Sequence, residues 1–205
     1  MARSNYNDGV FINCPFDEAY RPLFRAMQFT VLDCGFQPRS ALEEADSSVV
    51  RIEKIYEIIR QCRYGIHDIS RTESDGAPAL PRFNMPFELG VFLAAKRFGQ
   101  NEQRRKVCLI LDLEQYRYQK FLSDIAGQDI RAHNGSAKEV VKVVRDWLSH
   151  ASRRKIPPSA QLIWRRYEFF QSDLPGMCNA LDLDHQSLNF VEYQRMIVGW
   201  LEQYT

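Results

Sequence analysis

Short apolar segments alternate with segments of helical periodicity along most of this chain, and this alternation restricts the folds open to it. The predicted strands lie within Val10–Asp17, Phe36–Leu42, Arg63–Arg71 and Lys106–Asp112. Between them, apolar residues recur at steps of three and four, which is typical of amphipathic helices. Strands that alternate with helices pair in parallel through right-handed crossovers. We therefore predict an α/β fold built on a parallel sheet.

The clearest helix start follows the third predicted strand. Asn84 precedes the apolar periodicity as a helix cap, and Pro86 falls in the first turn. The predicted helix carries Glu88 in its first turn, whereas Asp68 ends the preceding strand. Ligands of open α/β sheets bind at the carboxyl ends of the strands. We therefore expect both carboxylates at the edge of the sheet where a ligand would bind.

Composition excludes several classes of function. The 205 residues suit one substantial domain, and the net charge of +1 gives no field to attract nucleic acid or an anionic membrane. The N-terminus is polar and no apolar run approaches about 18 residues, so no targeting or membrane-spanning segment is predicted. The scattered cysteines form no Cys-x-x-Cys pair and the histidines show no metal-ligand spacing. We predict reduced thiols, a cytoplasmic location and no metal site.

A basic cluster followed by two prolines separates the last part of the chain from the rest. We predict a domain at residues 1–152 and a helical extension at residues 159–205. The extension is rich in aromatic residues but too short to support an independent core. It is therefore expected to pack on the domain or on a partner chain. Its helices are predicted to break near Leu174–Gly176 and near Asp182–Ser187.

The ends of the predicted strands bring chemically diverse side chains to one edge of the sheet. That edge combines carboxylates, guanidinium groups, amides and an aromatic ring. The candidates for substrate binding are Asn13, Phe16, Asp17, Arg39, Arg82 and Asn84. Guanidinium groups match phosphates, carboxylates accept hydrogen bonds from ribose hydroxyls, and aromatic rings stack on bases. The mixture therefore favours a nucleotide-like ligand.

Glu88 and Asp68 are the candidate catalytic residues. The helix dipole stabilises a carboxylate in the first turn by about 0.3–1 kcal/mol at an exposed site, so we expect Glu88 to be ionised at neutral pH. An ionised, oriented carboxylate can trap or stabilise the oxocarbenium-like carbon of a breaking glycosidic bond. The residues alone leave two structural alternatives: Glu88 serves only the helix dipole, and Asp68 only caps its loop. Gly90 is costly in a helix and is expected to let another group approach closely.

Three motifs in this order resemble the TIR-like and nucleoside 2-deoxyribosyltransferase-like superfamily. They are Phe11–Asp17 on the first strand, Asp68–Ser70 at the end of the third, and Phe87–Gly90 at the start of a helix. The resemblance covers about residues 8–150. It implies a flavodoxin-like, doubly wound parallel sheet, with the C-terminal helical extension outside the family core.

The resemblance also implies roles for single residues. Glu88 would attack or stabilise the anomeric carbon of an N-ribosyl bond, Asp68 would assist at the base, and Phe16 would line the pocket. The transferases of this superfamily usually place a further aspartate shortly before the glutamate. This chain has Asn84 there as a polar substitute. The departure disfavours deoxyribosyl transfer.

The predicted function is hydrolysis or cyclisation of NAD with release of nicotinamide, in a bacterial immune or stress effector. NAD would be the substrate, no cofactor is expected, and the C-terminal helices would form a homo-oligomer or bind a partner protein. Two alternatives remain open. One is a nucleoside or nucleotide 2-deoxyribosyltransferase or N-glycosidase, in which Asp68 would matter more because a neutral base must be protonated. The other is a non-catalytic module that binds a nucleotide signal or assembles with partners.

Overall fold

The computed structural model describes residues 5–43, 46–71, 83–152 and 156–204. These residues form an α/β fold in which strands and α-helices alternate as far as the fourth strand, whereas two short 3-10 helices, Arg117–Lys120 and Ser123–Ile125, separate the fourth strand from the fifth. The strands are β1 (Gly9–Asn13), β2 (Gln37–Arg39), β3 (Tyr64–Asp68), β4 (Val107–Asp112) and β5 (Ile130–Ala132). The helices are α1 (Arg21–Asp33), α2 (Arg51–Gln61), α3 (Asn84–Phe98), α4 (Ala137–Ser152), α5 (Ala160–Asn179) and α6 (Phe190–Tyr204).

The sheet is parallel throughout, and its strands follow the order β2-β1-β3-β4-β5. This order is that of flavodoxin-like, doubly wound sheets, so the predicted fold class is confirmed. Every residue of β1 and β3 is buried, as expected for strands with helices on both faces. Val10 and Ile12 face the core beneath α1 and α4, whereas Phe11 faces the core beneath α2 and α3. The alternation follows from the two-residue period of a strand.

The strand order reverses direction between β1 and β3, and this position defines the crevice of the sheet. The loop after β1 leads to α1 on one face, whereas the loop after β3 leads to α3 on the other. Asn13 and His67 are register partners at the carboxyl ends of these two strands. In open α/β sheets a ligand binds outside the carboxyl ends at this switch point. The fold therefore places the predicted edge where a ligand site is expected.

The C-terminal helices pack on α1 and α4. Phe29 of α1 is fully buried, with ring centroids 5.4 Å from both Tyr167 and Phe170 and 6.1 Å from Trp200. Val141 of α4 belongs to the same apolar cluster. Of the two expected sites of packing, the structure shows the first: the extension covers the outer surface of the α/β unit.

One of the two predicted breaks in the extension is wrong. Helix α5 continues through Pro175, although proline lacks the N–H that a helix interior needs. Leu174 and Cys178 are buried on either side of it, in the same cluster as Phe170, so tertiary packing holds the helix together across the proline. The second predicted break is confirmed, because α5 ends at Asn179 and α6 begins at Phe190.

The start of α3 also differs from the prediction. Phe83 occupies the N-cap position without a side-chain cap, and its φ of −92° and ψ of 4° lie outside the extended conformation typical of a capping residue. Asn84 is the first helical residue rather than the cap, and it makes no capping hydrogen bond to a described residue. Glu88 consequently lies in the second turn rather than the first. Gly90 is exposed, and outside its own helix no atom of a described residue lies within 4 Å of where its Cβ would be. The close approach of another group to Gly90 stays a prediction.

Within the described ranges, no helix combines the length and the apolar character that crossing a bilayer would require.

Removing the extension should prevent the α/β unit from staying soluble. A chain that ends after residue 155 would expose Phe29 and Val141, which are fully buried in the whole chain. Apolar patches of this kind promote aggregation. We expect the shortened chain to aggregate in size-exclusion chromatography. A shortened chain that is soluble and monomeric, with an unchanged melting temperature, would contradict the role assigned to this contact.

A single substitution tests the same contact without shortening the chain. Phe29→Ala should lower the free energy of unfolding by about 3–5 kcal/mol, the usual cost of emptying a buried phenylalanine site. The matched control is Phe98→Ala, because Phe98 is 81% exposed and its loss should change stability by less than about 0.5 kcal/mol. Urea unfolding of the two variants measures the difference.

Candidate functional site

The Asp68 carboxylate lies at the end of β3 and is completely buried. The Tyr20 hydroxyl donates to its Oδ2 at 2.5 Å, and the Ser70 backbone N–H donates to its Oδ1 at 2.8 Å. The imidazole Nε2 of His133 lies 3.1 Å from Oδ2, which is ion-pair distance without the angle of a hydrogen bond. Its partners therefore enclose Asp68, and the residue has no exposed surface at the edge.

The ring of His133 has a defined orientation. The backbone N–H of Gly135 donates to Nδ1 at 3.0 Å, so Nδ1 is an acceptor and Nε2, on the side of Asp68, carries a proton. His133 directly follows β5 and is 1% exposed. Tyr20 directly precedes α1, so the Asp68 carboxylate connects the beginning of α1, the end of β3 and the end of β5. Burial and the Asp68 carboxylate raise the pKa of the Tyr20 hydroxyl well above its ordinary value, so Tyr20 stays a donor.

A second buried carboxylate fixes the backbone just beyond β3. Asp112 ends β4, and its Oδ1 accepts hydrogen bonds from Nε and Nη2 of Arg117 at 2.8 and 2.6 Å. Nη2 of Arg117 also donates to the carbonyl oxygens of Ile69 and Ser70, both at 2.9 Å. Burial raises the pKa of Asp112, and the Arg117 charge opposes that shift. The Arg117 guanidinium therefore holds the segment that leaves β3.

Asn13 connects the end of β1 to the start of α3. Its Nδ2 lies 3.1 Å from Nδ1 of His67 and donates to the backbone carbonyl of Met85 at 2.9 Å. Asn13 is 3% exposed, so both of its amide hydrogens are used inside the protein. Sequence reasoning assigned Asn13 to substrate binding. The structure shows a positioning role, because the Asn13 amide fixes the turn of α3 that precedes Glu88; its substrate binding stays a prediction.

His67 separates Asn13 from the aromatic core beneath α3. Burial lowers the pKa of His67 to about 3, and the charge of Lys106 adds to that shift, so the ring is neutral. Its ring stands edge-on to Phe92, with centroids 4.9 Å apart. A Cβ at Gly65 would lie 2.7 Å from Nε2 of His67 and 2.8 Å from Phe92. The absence of a side chain at Gly65 therefore allows His67 to occupy this position.

Glu88 is the least satisfied carboxyl group of this edge. Its side chain is 8% exposed, and no described residue donates a hydrogen bond to it. Burial raises the pKa of Glu88 from its ordinary value of 4.5 to about 7, and the Arg51 charge opposes this to a smaller extent. The expectation that Glu88 is fully ionised at neutral pH is therefore wrong. The helix dipole acts mainly within the first turn, whereas Glu88 lies in the second turn and is buried.

Cys14 shows that the predicted carboxylates are close together. It directly follows β1, and burial together with the charges of Asp68, Glu88 and Asp17 raises the pKa of its thiol well above the ordinary value. The thiol is therefore neutral and is a poor nucleophile. The structure thus brings Glu88 and Asp68 to one edge, as the strand ends predicted, with Cys14 near both of them.

The loop after β1 places its candidate residues on the α1 side of the edge. Phe16 is 39% exposed and stands edge-on to Phe24 of α1. Oδ1 of Asp17 accepts a hydrogen bond from the Tyr20 backbone N–H at 3.0 Å and lies 3.4 Å from Nη2 of Arg71. Asp17 therefore stabilises the turn into α1 and connects it to the loop after β3.

Two further candidates have other environments, and a third lies outside the described residues. Arg39 donates from Nε to Glu43 at 2.8 Å and from Nη1 to Gln61 at 3.2 Å, so its guanidinium points toward the end of α2 and its charge is neutralised. Asn84 is exposed at the start of α3. Arg82 lies outside the described residues. The predicted cluster of phosphate-binding arginines is therefore not seen in the described part of the chain.

Sequence reasoning missed the partners of Asp68. Neither Tyr20 nor His133 was among the candidate residues, and the histidines were considered only for metal-ligand spacing. The signal for His133 was its place directly after a strand, but β5 has three residues and carries only one buried side chain. In the described ranges, no group of three or more His, Cys, Asp and Glu side chains could hold a metal ion.

The stability of the protein should depend on pH through Glu88. A carboxyl group whose pKa is raised by folding binds its proton more tightly in the folded state, so stability decreases as pH rises from about 4.5 through about 7. Glu88→Gln removes this dependence. The variant should match the wild type near pH 4.5 and exceed it by up to about 3 kcal/mol near pH 8.

The control for this measurement is Glu53→Gln, a change of the same chemistry on the exposed surface of α2. Urea unfolding at several pH values compares the three proteins. A constant difference between Glu88→Gln and the wild type from pH 4.5 to 8 would contradict the raised pKa of Glu88.

Asp68 should matter for stability because its partners are buried. Asp68→Asn places an amide beside the Tyr20 hydroxyl and removes the charge near His133. Leaving buried polar groups poorly paired costs about 1–3 kcal/mol, so the free energy of unfolding should fall by that amount. The control is Asp129→Asn, because the Asp129 side chain is 75% exposed. Equal stabilities of the two variants would contradict the enclosure of Asp68.

Comparison with known proteins does not assign this chain to a family. No family model matches the chain, and a search of curated proteins likewise found no match. Inference about function therefore depends on the edge itself. That edge has one enclosed carboxylate at Asp68 and one buried carboxyl group at Glu88 that lacks a hydrogen-bond donor among the described residues.

Proposed function

We propose that this protein cleaves the N-glycosidic bond between nicotinamide and ribose in NAD, with Glu88 as the catalytic residue. The observation that supports this most is the state of Glu88: a buried carboxyl group without a hydrogen-bond partner among the described residues, whose pKa is about 7. Carboxyl groups perturbed in this way at a sheet edge are concentrated in functional sites. A residue that served only the helix dipole would be exposed and in the first turn.

The chemistry requires a negative charge that is held close and poorly solvated. When the bond from C1′ of the ribose to the pyridinium nitrogen breaks, its electron pair stays with nicotinamide, which leaves as a neutral molecule. The positive charge then develops on the ribose, and the Glu88 carboxylate traps or stabilises it. Water adds to the anomeric carbon and releases one proton, or a nitrogen of the adenine adds instead and closes a ring. A carboxylate in a dry site interacts with such a charge more strongly than one in water.

The environment of Asp68 distinguishes cleavage of NAD from cleavage of a neutral nucleoside. A neutral base leaves with a negative charge and must be protonated by a positioned acid. Asp68 is completely buried, its Oδ2 accepts from Tyr20, and its Oδ1 accepts from the Ser70 backbone. Both oxygens of Asp68 therefore already have donors within the protein, and neither is placed to reach a leaving base. Its enclosure favours a substrate whose leaving group is already cationic, as in NAD.

The remaining residues of the edge would position Glu88. Asn13 fixes α3 through the Met85 carbonyl, and Arg117 holds the segment after β3. A protein that consumes NAD would lower the cellular pool of that cofactor. This consequence fits the predicted immune or stress effector, which stays a prediction.

The test is turnover of NAD by the wild type and by two variants. Glu88→Gln should reduce kcat/KM by about 10³-fold or more, because the charge that the transition state needs is lost. Asp68→Asn, assayed at a temperature where it is folded, should reduce kcat/KM much less than Glu88→Gln does, because Asp68 is enclosed by partners within the protein. Because only ionised Glu88 is active, kcat/KM of the wild type should rise with pH through about 7. Chromatography of nicotinamide and the ribosyl product measures each rate.

Three outcomes would count against the proposal. Near-wild-type turnover by Glu88→Gln would leave this residue without a catalytic role. A collapse of kcat in both variants, with a neutral nucleoside as the better substrate, would favour the nucleoside alternative. No turnover of NAD or of a nucleoside panel by the wild type, alone or with cell extract, would favour a binding module.

A further inference from the structure

A cavity of about 260 Å³ lies on the face of the sheet opposite α3, between α1, the loop after β1 and the beginning of α6. Glu88 and Asp68 are not among the residues that line it. The lining residues used below are Phe16, Phe24, Arg25, Gln28, Phe190 and Tyr193. The cavity is smaller than the roughly 300–1,000 Å³ of pockets for drug-sized ligands. Its size therefore suits a single ring with one substituent.

The floor of the cavity contains an unpaired polar group. Gln28 is 1% exposed, and its Nε2 is buried without a hydrogen-bond partner in the described part of the protein. A buried amide left unpaired costs about 1–3 kcal/mol, and an apolar residue would pack here without that cost. Gln28 follows Phe24 by four positions and Arg25 by three, so the three side chains share one side of α1. Gln28 thus lines an aromatic cavity with a buried amide that has no partner among the described residues, and a rotation of the side chain would turn this donor toward a ligand.

Aromatic rings form the walls. Phe24 stacks on Phe190 with ring centroids 5.8 Å apart and an angle of 14° between the planes. Phe16 stands edge-on to Phe24 at 5.4 Å and is 39% exposed, although its ring would be better buried. Such flat and edge surfaces complement a planar ring. A ring in the cavity would cover the exposed side of Phe16.

A positive charge lies at the same wall. The Arg25 guanidinium stands 4.7 Å from the centroid of the Tyr193 ring, and its Nη2 donates to the carbonyl of His185 at 3.0 Å. None of the described carboxylates forms an ion pair with Arg25. The Asp17 carboxylate also lines the cavity, but it accepts from the Tyr20 backbone and lies beside Arg71. The cavity therefore offers a guanidinium whose charge is not balanced by a carboxylate.

From these observations we infer that this cavity binds a small planar ring compound that carries both a hydrogen-bond acceptor and an anionic group. The ring would lie against Phe16, Phe24 and Phe190, the acceptor would receive the hydrogen bond of Gln28, and the anionic group would face Arg25. This site is separate from the proposed chemistry at Glu88. It includes Asp17, which connects the loop after β1 to the loop after β3, and it bridges the α/β unit to α6.

The experiment uses orotate as the probe, titrated into the full chain by isothermal calorimetry. Orotate has a planar ring, ring carbonyls and a carboxylate. Uracil lacks the carboxylate, and benzoate lacks the ring carbonyls. We expect saturable binding of one orotate per chain, and at least about tenfold weaker binding of both controls, because each loses one of the polar contacts. Failure of orotate to bind, or equal binding of all three compounds, would overturn the inference.

Variants locate the binding. Gln28→Leu removes the unpaired donor and should weaken orotate binding by about tenfold while the melting temperature stays equal or rises. Arg25→Gln should weaken it similarly. Gln128→Leu, at an exposed glutamine distant from the cavity in the fold, is the matched control and should bind as the wild type does. Unchanged affinity in both Gln28→Leu and Arg25→Gln would overturn the inference.

The binding test is independent of catalysis. Glu88→Gln retains all residues of this cavity, so it should bind orotate with wild-type affinity even though it would not turn over NAD. Loss of orotate binding in Glu88→Gln would show that the probe occupies the edge beside Glu88, which would also overturn the inference. An absence of NAD turnover, with orotate binding intact, would contradict only the proposed function.

Discussion

The structure of the sheet edge depends on the hydrogen bonds that the buried Asp68 carboxylate accepts. One side chain at the end of β3 accepts a hydrogen bond from Tyr20 before α1 and from the backbone of Ser70, and it faces His133 after β5. A carboxylate without water is stable only where donors surround it. The donors come from distant parts of the sequence, so they can meet Asp68 only when the sheet is assembled. Its position therefore couples the ends of β3 and β5 to the beginning of α1.

Two carboxyl groups of the same edge have opposite environments. Asp68 is completely buried and is surrounded by partners, whereas Glu88 is nearly buried and has no donor among the described residues. The first arrangement stabilises the folded protein, because each oxygen is satisfied. The second makes ionisation unfavourable and keeps the pKa of Glu88 near 7. Unfavourable local energies of this kind persist where a function requires them, and this contrast is the basis for assigning chemistry to Glu88 and positioning to Asp68.

The C-terminal helices bury apolar surface of α1 and help to form the aromatic cavity. They cover Phe29 on the outer surface of α1, and the start of α6 closes the aromatic cavity around Gln28. The loop after β1 contributes Phe16 and Asp17 to that cavity and then leads to Tyr20, which holds Asp68. The segment after β1 thus contributes both to the aromatic cavity and to the edge of the sheet that carries Asp68. A ligand beside Phe16 would contact the same segment that orders the edge.

The alternation of apolar segments with helical periodicity was sufficient to predict the parallel α/β fold, because each element carries its own repeat in the sequence. Strand ends likewise predicted that Asp68 and Glu88 share one edge. What the sequence could not reveal was the state of each side chain. The burial that shifts the pKa of Glu88, the use of Asn13 inside the protein and the pairing of Arg39 with Glu43 depend on neighbours from other elements. The continuation of α5 through Pro175 also depends on such neighbours, because the packing of Leu174 and Cys178 outweighs the tendency of proline to end a helix. Local pattern determined the elements and their order, whereas only the tertiary structure decided which polar groups are satisfied, because desolvation is a property of the assembled protein.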